Sequence, residues 1–79
     1  MQKAHGMELR NRWVHFRIRD VYFPDPQTLL MELYGNDLLQ GKVVDLSDSG
    51  MQEGAFAVIE VEGIKQPVIV LVGRILGVL

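Results

Sequence analysis

Four side chains at alternate positions, Trp13, His15, Arg17 and Arg19, put one aromatic ring and three groups able to carry positive charge on a short stretch. In an extended chain every second residue points the same way, so all four would share one strand face. Cations in such a row can hold phosphates while the ring stacks on a base, as binders of single-stranded nucleic acid do. A solvated strand face with a partly buried tryptophan has the same composition. Trp13, His15, Arg17 and Arg19 are therefore the candidate anion or nucleic-acid surface.

The run Asp45-Leu46-Ser47-Asp48-Ser49-Gly50 is the second stretch with chemistry in it. Asp45, Ser47, Ser49 and Gly50 match the opening of a calcium loop, but Phe56 stands where the bidentate glutamate is required and Glu53 is wrongly spaced. The expected structure is a turn in which Asp and Ser side chains cap their own backbone. With no cysteine and two histidines, neither a disulfide nor a thiolate metal site can form, and a histidine metal site is not expected. His15 has no nucleophile to serve, since Ser47 and Ser49 sit in the turn-forming run. No glycine-rich phosphate loop, nucleophile elbow or carboxylate pair stands out. No catalytic, metal or cofactor residues are assigned, and the chain is expected not to be an enzyme.

The same run, Asp45–Gly50, resembles the Asp-x-Ser-x-x-Gly signature of PilZ domains, which implies binding of cyclic dinucleotides. That family grips phosphate and guanine with an upstream pair of arginines four apart, a spacing that Arg10, Arg12, Arg17 and Arg19 do not provide. A longer stretch, Leu33-Tyr34-Gly35-Asn36-Asp37-Leu38-Leu39-Gln40-Gly41-Lys42-Val43, resembles the first motif of Sm-like barrels, including the bacterial RNA chaperone type. That resemblance implies a small β-barrel, and it requires an extended chain over Leu29–Tyr34.

The elements that would position these residues are mostly strands. Ala55 to Glu62 ends in alternation, with Ile59 and Val61 on one side and Glu60 and Glu62 on the other. Gly63-Ile64-Lys65-Gln66 is a turn, and Val68 to Val72 is β-branched and apolar on both faces. This hairpin organises the rest. From Arg12 to Phe23, Val14, Phe16 and Ile18 form an inner stripe opposite the Trp13–Arg19 row. Leu38 to Leu46 is a further strand, with Gly41 a bulge or close-packing point. Pro24 to Gly35 admits two readings. Asp25 as N-cap, Pro26 at the first helical position and Gly35 as terminator favour a helix with Leu29, Leu30, Leu33 and Tyr34 on one face. As a strand, Leu29, Met31 and Leu33 would alternate with Leu30, Glu32 and Tyr34 before a Gly35-Asn36 turn.

The 79 residues make one domain, with residues 1–8 expected to be disordered. The fold class is mainly β (α+β if the helix forms), a small curved antiparallel sheet or barrel of about four or five strands with a short helix at Pro26–Tyr34. A chain this small buries only about 60% of its unfolded surface, so oligomerisation is a natural source of further stability. Val68, Val70, Leu71, Val72, Ile75 and Leu76 are the expected oligomer interface, because both faces of that strand want cover. The leading reading is a non-enzymatic interaction or assembly module that self-associates through Val68–Leu79. The alternative is a small-barrel nucleic-acid or cyclic-nucleotide binder using the basic strand. No segment reads as a signal peptide or membrane span, and a cytoplasmic location is the default expectation.

Overall fold

A computed structural model describes residues 9–32, 37–48 and 55–79. The expected disorder of residues 1–8, the Gly35-Asn36 turn and the loop through Gln52 to Gly54 lie outside these residues. The chain runs β1 (Trp13–Arg17), β2 (Val21–Phe23), α1 (Pro26–Glu32), β3 (Leu38–Ser47), β4 (Phe56–Glu60), β5 (Val68–Leu71) and β6 (Gly77–Val78). The strands form one antiparallel sheet in the order β2-β5-β4-β3-β1-β6. The fold is mainly β with one short helix, and the sheet is not closed: β2 and β6 are its edges.

The described residues form six strands because two apolar stretches are each cut by a 3₁₀ turn. Ile18–Asp20 separates β1 from β2, and Val72–Arg74 separates β5 from β6. The two cut stretches lie antiparallel along both halves. Val14 pairs with Val78 and His15 with Gly77, while Val21 pairs with Val70 and Phe23 with Ile69. Arg74 in one 3₁₀ turn lies 3.9 Å from the Asp20 carboxylate in the other. Each edge strand is thus the continuation of an interior one.

Alternation in the sequence translates directly into the core. Val14, Phe16 and Ile18 point inward and are fully buried, beside Val43, Ala57, Ile59, Val68 and Val70. Glu60 and Glu62 are exposed while Ile59 and Val61 are buried, which is the pattern of a strand with one wet face. Gly63 turns the hairpin at φ +90°, a conformation that favours glycine.

Pro26–Glu32 is a helix, so the extended alternative for this stretch gives way over those residues. The capping chemistry explains it: the Gln27 N–H donates to the Asp25 carboxylate at 3.1 Å, and the Thr28 N–H donates to the Asp25 carbonyl at the same distance. Leu29 points into the core. The side chains of Leu30, Met31 and Glu32, and all of Leu33, Tyr34 and Gly35, lie outside the described residues.

In β3, Gly41 is a close-packing point. A Cβ there would stand 2.5 Å from the Glu60 carbonyl oxygen and 2.7 Å from Ile59 Cγ2. The bulge is elsewhere, at Val44: Val43 pairs with Ile59 and Asp45 with Val58, leaving one residue extra. It reverses the parity of the strand, so that Leu46 packs against the core while Asp45 is exposed. The strand continues to Ser47, paired with Phe56. The expected strand Leu38–Leu46 is thus present and runs one residue further; at Asp45 and Leu46, where the strand and turn readings overlap, β4 supplies ladder partners and the strand prevails.

Candidate interaction surface

The register of β1 fixes where the candidate basic row lies. Trp13, His15 and Arg17 face outward, opposite Lys42, Gln40 and Leu38 of β3. His15 packs over Gly77, where a Cβ would come within 2.8 Å of its Nε2. Arg19 lies beyond β1 in the 3₁₀ turn but remains exposed and lines the same cleft as Arg17. Its guanidinium lies 3.1 Å from the Asp37 carboxylate. Two further arginines are paired in the same way, Arg10 with Asp45 at 3.4 Å and Arg74 with Asp20 at 3.9 Å. Lys42 stands opposite Glu60 on β4. The outer surface around Trp13 therefore mixes charges of both signs.

The Asp45 carboxylate accepts the Leu46 N–H at 2.8 Å and faces Arg10. It does cap its neighbouring backbone, though from a strand. Ser49 and Gly50 lie outside the described residues. Among the described residues, no three side chains of His, Asp or Glu gather into a group able to hold a metal ion.

The expected oligomer interface divides. Val68 and Val70 lie inside the core, opposite Ile59 and Ala57. The inner face of β5 is covered by this chain's own core, while on the outer face Ile69 is half-buried and Leu71 exposed. Val72 and Ile75 are half-buried against the core. Leu71 and Leu76 remain exposed, Leu71 opposite Phe56 and Leu76 beside Arg17 and Leu38.

The outer side of β5 belongs to a larger surface that alternation in any one strand does not reveal. Phe23, Ile69 and Val58 stand in a row across β2, β5 and β4. Beside it, Leu71 faces Phe56, whose ring meets that of Tyr22 at a centroid distance of 5.0 Å. Tyr22 is 68% exposed, Phe23 53% and Leu71 38%. None of these six is charged, and acids border them: Asp45 pairs with Val58 from β3, and Glu60 follows Val58 on the same face of β4. The signal in the sequence was slight: Phe56 and Val58 are apolar on the parity that turns acidic at Glu60, and Tyr22-Phe23 sit together where one residue should face inward.

Wide clefts cross the described surface around Trp13 and Lys65, around Pro24 and Ile64, and around Arg17 and Leu76. Compared with known proteins, the chain matches no family model, no curated protein and no solved structure.

Proposed function

We propose that this protein is a small non-enzymatic interaction module that assembles with a second copy of itself through the outer face of β2, β5 and β4. The observation that carries this reading is the uncharged apolar cluster of Tyr22, Phe23, Phe56, Val58, Ile69 and Leu71 on three adjacent strands. A contiguous apolar patch on a small domain costs free energy in water and marks an interaction surface. Aromatic residues without charge are the composition of an interface core. The cluster itself carries no charge, with Glu60 and Asp45 at its margin, so two copies can meet through it about a twofold axis without burying an ion at the centre.

The basic row has less support as a polyanion site. Phosphate recognition needs cations free to neutralise it, whereas Arg19 of the row faces the Asp37 carboxylate at 3.1 Å and Glu60 lies beside Trp13. Sedimentation equilibrium tests the assembly. The wild-type chain is expected to sediment as a dimer, and Phe23→Ser or Leu71→Glu as a folded monomer, since both positions are exposed within one chain. A monodisperse wild-type monomer at roughly tens of micromolar would overturn the proposal, because specific dimers of useful affinity are formed at that concentration.

A further inference from the structure

Arg17 and Leu38 are direct partners across β1 and β3. Backbone hydrogen bonds fix what surrounds them. The Ile18 N–H donates to the Asp37 carbonyl at 2.7 Å, and the Leu76 N–H donates to the His15 carbonyl at 2.9 Å. Arg17, Arg19, Asp37, Leu38 and Leu76 thereby line an open cleft of about 460 Å³. Its two leucines are 52% and 48% exposed, a large apolar area for a site that also holds guanidinium groups. Arg19 is engaged by Asp37 at 3.1 Å. Arg17 forms no ion pair among the described residues. The cleft therefore offers one free guanidinium between two uncovered aliphatic side chains.

We propose that this cleft binds a carboxylate carried on a branched aliphatic group. A guanidinium presents parallel N–H donors that match the two oxygens of a carboxylate. Leu38 and Leu76 would cover the aliphatic part. An apolar ligand without the acid would bury Arg17 against nothing, which is costly. A phosphate dianion asks for more positive charge than the one uncompensated arginine provides. Two sources carry the required chemistry: a free branched-chain acid, and the carboxyl end of a peptide whose last residue is Leu, Ile or Val. The site shares no residue with the face assigned to self-association, so the two proposals stand or fall separately.

The test is an amide-shift titration of the full chain with isocaproate, isocaproamide, and acetyl-Ala-Val-Leu carrying either a free or an amidated end. Saturable shifts confined to Arg17, Leu38, Leu76 and their neighbours are expected with the acids and not with the amides. Affinity for so small a fragment should be near ~1 mM. Arg17→Gln should abolish the shifts while leaving the remaining spectrum in place, and Leu38→Ser should weaken binding several-fold. Tighter binding of the free-ended peptide than of isocaproate assigns the site to peptide termini, and equal binding assigns it to the free acid. Equal response to acid and amide, full retention in Arg17→Gln, or no saturable shift with any ligand would overturn the proposal.

Discussion

Tyr22 and Phe56 hold their rings 5.0 Å apart, with planes inclined at 49°, and so join the edge strand β2 to β4 over the β5 strand that lies between them. Such a pair contributes about 0.5–1.5 kcal/mol beyond the area it buries. It also keeps a three-residue edge strand in line with the face that surrounds it.

Neighbouring residues of β5 should respond oppositely to the same substitution. Leu71→Glu adds charge to an outward position and should dissolve the dimer while the circular dichroism spectrum and melting temperature stay near wild type. Val70→Glu places a carboxylate in the core, where an unpaired charge cannot be accommodated, and should unfold the chain. If Leu71→Glu unfolds it as well, the outer face is more tightly bound to the fold than proposed.

Two glycines separate close packing from mere permissiveness. Gly41→Ala would force a methyl against the Glu60 carbonyl and Ile59 Cγ2, at a cost of about 1–3 kcal/mol. A Cβ at Gly73 would meet nothing within 4 Å, and restricting the unfolded chain there should stabilise by about 0.4–1 kcal/mol. Urea melts of the two variants should move in opposite directions; a shared direction would contradict this account of Gly41.

Asp25 anchors the start of α1 through its carboxylate. Asp25→Ala should cost about 1 kcal/mol, while Asp25→Ser should keep most of that stability because serine also accepts the first free N–H groups. Equal losses in both variants would mean that the cap does not hold the helix.

Single-stranded oligonucleotides should show no saturable binding, even at low salt. The exposed Arg19–Asp37 ion pair is individually weak, but together with Glu60 beside Trp13 it interrupts the positive row. Binding that falls steeply with salt and is lost in Arg17→Ala would restore the nucleic-acid reading.

Much of the fold could be read from the residues in order. Val14, Phe16 and Ile18 announce an inner stripe because a strand repeats every two residues, and Asp25-Pro26 announces a helix because both residues suit its first turn. The outer face could not be read that way. It exists only once Phe23, Ile69 and Val58 are set side by side, and cross-strand register is decided by the whole sheet. Nothing local marks the 3₁₀ turn at Ile18–Asp20, which ends β1 before Arg19. Asp45 and Leu46 could be read both as the end of the Leu38–Leu46 strand and as the start of a turn, and the partners that decide for the strand lie in β4. Val68 and Val70 looked uncovered for a similar reason: the core that encloses them draws residues from β1, β2, β3, β4 and α1.

The opposed 3₁₀ turns have a kinetic consequence. Strands β3, β4 and β5 follow one another in the chain and pair as neighbours, so each requires only modest loop closure. The ribbon of residues 13–23 against 69–78 joins distant parts of the polypeptide, and its ordering entropy must be met before its contacts return anything. The meander should consequently form early and the ribbon late, and the ribbon should open first in the native state. The Leu76 and Leu79 amides, which donate to the His15 and Trp13 carbonyls, should exchange with solvent deuterium well before those of Val58 and Ile59, making the last strand a latch that breathes while the central sheet stays shut.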